Sequence, residues 1–235
     1  DAEAVVVLHR ILDVQPGNEY AIGELERFFA EGKQVPAVLD ILEPHYVDTD
    51  RWQPLITVLE HRIELADVVS DKILLHERIA DVYAAQAEDA EYVFLHVAEA
   101  LRLDPDRVES LDRVDRVVEE QTGDATALVN LLDEVSERVQ QVDVQRRVFR
   151  RIADMCADVL DDHERAISYY LKTLEVDPDA MDVVDRLVDS LRAHERWDDL
   201  IAVTARKADL VDDPDERRAL LLEVGRLTRD VVKRP

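Results

Sequence analysis

Along this 235-residue chain, apolar positions recur at helical spacing rather than with the alternation of strands. Between Asp161 and Asp179, the residues Ala166, Ile167, Tyr170, Leu171 and Leu174 fall at i, i+1, i+4, i+5 and i+8, one stripe of an amphipathic helix. Pro178 lacks an N–H and disfavours helical angles in the residue before it, so that helix stops at Val176 or Asp177. The same text stands 73 residues earlier, where Val93, Phe94, Val97, Ala98 and Leu101 precede Leu103, Asp104 and Pro105. A third version, Ala4, Val5, Leu8, His9 and Leu12, leads into Val14 and Pro16.

Proline, glycine and Asp-rich joints then divide the chain into about thirteen helices. They are expected near 1–13, 18–31, 35–47, 50–67, 71–87, 90–102, 107–121, 125–140, 144–160, 163–175, 179–194, 197–211 and 214–232. Gly32 and Gly123 suit left-handed helix ends, and Pro36, Pro54 and Pro214 sit in first turns, where a missing N–H is harmless. With only 5 Gly and 8 Pro, an almost wholly helical chain meets few breakers, and its short joints force neighbouring helices antiparallel.

The period runs deeper than the proline motif. Arg78-Ile-Ala-Asp81 recurs as Arg151-Ile-Ala-Asp154, 73 residues on, and Ile152-Ala153 matches Val224-Gly225 at 72. Leu55, Leu128 and Leu200 keep the same spacing, and Trp52 and Trp197 stand two periods apart. The unit is therefore four helices, or two hairpins, with a small residue (Ala80, Ala153, Gly225) where a neighbour comes close. Residues 1–70 follow the period irregularly, Pro16 lying out of phase with Pro105 and Pro178. The whole of 1–235 is expected to be one repeat array, excised from a longer protein, with the apolar face of 214–232 left exposed or covered by another molecule.

A helix pair of about 34 residues, with a small residue in the first helix and an Ala, aromatic, Asp-Pro pattern in the second, resembles the tetratricopeptide repeat (TPR). In the best copy Ala153, Ala166, Tyr170 and Pro178 carry the pattern, while Asp154 and Thr173 depart from its glycine and alanine. The copy ending at Pro105 keeps Ala80 and Ala100 but has Val93 and Val97. The resemblance implies an all-α, right-handed α-solenoid of stacked hairpins with a concave groove lined by the first helix of each.

Composition narrows the function. A net charge of −25 argues against a nucleic-acid backbone as ligand. No apolar run approaches the ~20 residues of a membrane span, so no membrane insertion is expected. Cys156 is the single cysteine, which fits a reducing compartment and a cytoplasmic location. Seven histidines include no pair at zinc-helix spacing, and neither a Gly-rich phosphate loop nor a Gly-x-Ser-x-Gly elbow occurs, so no enzyme, metal or cofactor is expected. Trp52 and Trp197 are assigned to packing between neighbouring helices. The one basic run, Gln145 to Arg151, is assigned to pairing with the abundant acids.

The leading expectation is thus a non-catalytic scaffold that presents a groove to a protein or peptide partner. The alternative is an architectural spacer or self-assembly segment of a larger protein. Arg78 matches Arg151 and Arg113 matches Arg186 at 73 residues, all in first helices. On the TPR template these four look into the groove, where family members hold acidic peptide tails, and guanidinium groups grip carboxylates through paired hydrogen bonds. Asp81, Asp112, Asp154 and Asp185 lie within a turn of them and are the expected internal competitors.

Overall fold

A computed structural model of the chain describes residues 2–232. Among them are thirteen α-helices and no strand: α1 (Ala2–Val14), α2 (Glu19–Ala30), α3 (Val35–Asp48), α4 (Trp52–Leu65), α5 (Val69–Gln86), α6 (Ala90–Leu103), α7 (Val108–Val117), α8 (Ala125–Ser136), α9 (Val142–Asp158), α10 (His163–Val176), α11 (Met181–Ala193), α12 (Trp197–Leu210) and α13 (Pro214–Val232). The chain divides into two compact units, Asp1–Thr122 and Gly123–Pro235. Within each, every helix packs on its neighbour in sequence. The all-α architecture of stacked antiparallel hairpins follows from the observed helix order and packing.

In the first unit the stripes of α1 to α5 meet in a core that includes Leu8, Leu25, Leu39, Leu42, Leu59 and Ile79. In the second, Leu128, Leu132, Ile152, Ile167, Tyr170 and Leu187 are among the buried residues. Ala80 and Ala153 have no exposed surface, on α5 and α9, which pack against α6 and α10. A methyl group there is what lets two helix backbones approach. Cys156 is a buried thiol whose pKa burial raises, so it sits in the core as a small apolar side chain.

The 73-residue period is also written in the turns. One residue with positive φ stands immediately before the N-cap of each second helix from α4 to α12: Asp50, Glu88, Gly123, Asp161 and Glu195. The caps Asp89 and Asp162, 73 residues apart, accept from the backbone N–H of Tyr92 (3.3 Å) and Arg165 (3.2 Å). Asp124 accepts from Ala127 at 2.9 Å and Asn18 from Ala21 at 3.0 Å. Each bond satisfies an N–H that the first helical turn leaves without an intrahelical acceptor.

Two boundaries differ in kind from expectation. Helix α8 stops at Ser136, not near residue 140. The Ser136 hydroxyl donates to the Asp133 carbonyl (2.8 Å) and Arg138 N–H returns to Val135, local bonds that close the helix. Helix α7 ends at Val117, and Val118–Thr122 continues as a π-helical turn. Pro44 lies inside α3, where its ring removes the N–H that would bond to the Asp40 carbonyl. No helix among the described residues is long and apolar enough to cross a membrane.

Candidate functional site

The four candidate arginines lie on first helices, Arg78 on α5, Arg113 on α7, Arg151 on α9 and Arg186 on α11. Arg78 bonds to Glu43 of α3, which also receives Arg62 of α4. Arg113 bonds to Asp81 of α5. Arg186 reaches Asp158 at 2.9 Å, Asp154 at 3.1 Å and the Tyr170 hydroxyl at 3.0 Å. Those bonds raise the Arg186 pKa further above its ordinary value, and burial pushes the Tyr170 hydroxyl up to about 12.

Of the expected competitors, Asp154 meets Arg150 of its own helix at 3.6 Å, and Asp81, Asp154 and Asp185 all reach basic groups on other helices. Asp81 and Asp154 sit three residues after Arg78 and Arg151 but are gripped by Arg113 and Arg186, each 32 residues further on. Asp185 receives Lys207 of α12 at 2.7 Å. Adjacent hairpins bring residues about one 34-residue repeat apart side by side, so the long guanidinium arm spans from one hairpin to the next. The same step joins Arg107 to Glu77 (3.2 Å), Arg165 to Asp133 (2.7 Å) and Arg196 to Glu164 (2.8 Å). Arg206 donates to the carbonyls of Leu174 (3.0 Å) and Pro178 (2.7 Å) instead.

Two hollows open on the first helices. One, of about 540 Å³, is walled by Arg146, Arg147, Arg150 and Arg151 of α9 opposite Asp177 and Asp182. Arg146 meets Asp177 at 3.0 Å and Arg150 meets Asp182 at 2.5 Å, so the basic run is partnered by acids across the hollow. Asp154 completes the wall. The other, of about 260 Å³, lies in the first unit beside Tyr46, Trp52, Leu55, Arg78 and Asp81. Trp52 packs edge-on against Tyr83 of α5, with ring centres 6.4 Å apart. The repeat-equivalent pairs Arg78/Asp81 and Arg151/Asp154 therefore each line a hollow.

Two histidine contacts could not be read from spacing along one helix. His76 of α5 and His96 of α6 face each other with Nδ1 atoms 3.1 Å apart, stacked beside Tyr83. His163 and His194 rings lie 4.0 Å apart, and His163 Nε2 is 2.7 Å from Asp161. The first pair bridges α5 and α6, and the second joins the start of α10 to the residue that follows α11, contacts that a search for two histidines on one turn misses. Among the described residues no group of three or more His, Cys, Asp or Glu is arranged to hold a metal ion.

No protein-family model and no curated protein matches the chain. Among solved structures, it is similar to the TPR domain of P58(IPK), at TM-score 0.37 and 16% identity over 99% of this chain and 67% of that one. It is also similar to pilF of Pseudomonas aeruginosa, at TM-score 0.41 and 16% identity over 84% of this chain and 86% of that one. A third is the TPR2AB domain of yeast Sti1 in its complex with pHSP90, at TM-score 0.34 and 12% identity over 96% of each chain.

Proposed function

We propose that the chain is a non-catalytic interaction scaffold whose first helices receive acidic segments of a protein partner, with Arg78 and Arg113 as contacts in the first unit and Arg151 and Arg186 as contacts in the second. The observation that carries this reading is the recurrence of Arg78/Asp81 and Arg151/Asp154 in the walls of two hollows. Packing alone asks for small apolar residues at a helix crossing; it does not ask for a guanidinium at the edge of an open space.

Entry of a ligand carboxylate is an exchange. Arg78, Arg113 and Arg186 already hold internal carboxylates, and the hollow on α9 balances its arginines with acids. A partner acid gains charge-assisted bonds only as it displaces these, so affinity is modest and falls with added salt.

The test is fluorescence anisotropy with a labelled octapeptide of alternating Glu and Asp, titrated with wild type and with the Arg78→Ala/Arg151→Ala double variant. Loss of two charged contacts is expected to weaken binding by at least tenfold, each hydrogen bond to a charged group being worth about 1.5 kcal/mol or more. The helical melt should stay within a few degrees of wild type. Equal binding by both proteins, or binding indifferent to salt, would sink the proposal.

A further inference from the structure

An apolar hollow of about 540 Å³ opens in the first unit where the start of α3, the end of α4 and the start of α5 meet, walled by Pro36, Leu65, Ala66, Leu74 and Leu75. Leu65 and Leu74 are 50% and 58% exposed, and Val68 and Val69 in the joint between them are exposed as well. Each of the three helices packs on its neighbour both before and after it in the chain, so the hollow lies inside the array. Hairpins stack on the ends of such an array and leave an interior seam of this kind as it is.

Hairpin packing does not ask for leucine at these positions. One period on, 73 residues later, Arg138 and Arg147 stand in place of Leu65 and Leu74, and α8 and α9 still pack on each other. Neighbouring apolar side chains left open beside a hollow, with polar residues at the rim, mark a surface that another chain covers.

The charges around the hollow specify the chemistry of that chain. Arg62 in its wall is already held by Asp40 at 2.8 Å and by Glu43. From Glu64 to Leu74 the acids Glu64, Asp67 and Asp71 stand against the single base Lys72. All three acids are exposed, Asp71 in the wall itself, and none makes an ion pair among the described residues. Unpaired carboxylates around an apolar floor attract cations that flank an apolar side chain, and they repel an acidic peptide or the anionic surface of a bilayer. We propose that this hollow docks a segment of a partner protein in which large aliphatic side chains are flanked by lysine or arginine. The aliphatic groups fill the space between Leu65, Leu74 and Leu75, and the cations meet Glu64, Asp67 and Asp71. The surface uses none of the four candidate arginines and takes the opposite charge, so its failure leaves the acidic-segment reading untouched.

The probe is a fluorescein-labelled peptide of repeated Lys-Leu-Leu-Lys, titrated by anisotropy into the full chain. Wild type is expected to bind it, and to bind a Lys-Ser-Ser-Lys counterpart at least tenfold more weakly. The Leu65→Gln/Leu74→Gln variant, neutral and favourable to helix, should bind the leucine peptide at least tenfold more weakly while melting within a few degrees of wild type. Asp67→Lys/Asp71→Lys should shift the preference toward a Glu-Leu-Leu-Glu peptide. Leu95→Gln, at an exposed leucine of α6 outside the hollow, should bind as wild type does. No binding to wild type, equal binding of the serine peptide, equal binding by Leu65→Gln/Leu74→Gln, an unmoved charge preference, or a matching loss in Leu95→Gln would overturn the proposal. So would sedimentation of wild type as a dimer that Leu65→Gln/Leu74→Gln converts to a monomer, because a second copy would then be the occupant.

Discussion

Ala80 and Ala153 lie without exposed surface on helices packed against their hairpin partners, so a larger side chain at either has nowhere to go but into the partner. Ala153→Leu should lower stability by about 1–3 kcal/mol in urea unfolding, and Ala80→Leu by a similar amount. The His76/His96 contact makes a second prediction. With Nδ1 atoms at 3.1 Å, one ring must donate and the other accept, so both cannot be protonated. Burial is the main cause that lowers both pKa values, His96 from its ordinary 6.5 to about 4. The unfolded chain therefore takes up protons below pH 6.5 that the folded chain refuses until about pH 4. Stability is fully present above 6.5 and falls through that window, by roughly 2 kcal/mol for a largely buried imidazole. The difference in melting temperature between wild type and His96→Leu, followed from pH 7 to pH 4, should show this loss in wild type only. A constant difference would mean that His96 does not titrate differently in the two states.

At the scale of the element, the hairpin turns repeat one recipe, a left-handed residue followed by an N-cap, and Gly123 is the only glycine among the five. A Cβ at Gly123 meets no atom within 4 Å, so Gly123→Ala isolates the backbone term at φ +64° and should cost about 1 kcal/mol. Asp124→Ala removes the bond to Ala127 N–H and should cost about the same. Thermal denaturation of both variants checks the pair. These turns also show what was legible in the sequence. Helix number and order could be read because stripe, proline and period agreed, and the ends of most helices fall within a residue or two of expectation. The end of α8 could not be read, since the Ser136 bond that closes it competes locally with an apolar stripe that runs on to Val139. Nor could the left-handed Glu88, Asp161 and Glu195, which side-chain chemistry does not announce as glycine does. Pairing was least legible of all. Asp81 is three residues from Arg78 in sequence yet holds Arg113, because the stacking of hairpins decides which charges meet.

Over the whole chain, the internal pairs consume many carboxylates, yet 54 acidic residues stand against 29 basic ones, so the proposed acidic partner would be received against an unfavourable net field. The arginines on first helices are the local exception, and on the proposed reading they mark where such a partner lies. The most direct measurement is a titration of the isotope-labelled protein with the Glu/Asp octapeptide, followed by amide chemical shifts. Perturbations are expected on α5, α7, α9 and α11 around Arg78, Arg113, Arg151 and Arg186, fading as salt is raised. Shifts confined to second helices such as α6, α10 and α12, or none at a peptide concentration of several millimolar, would contradict the account.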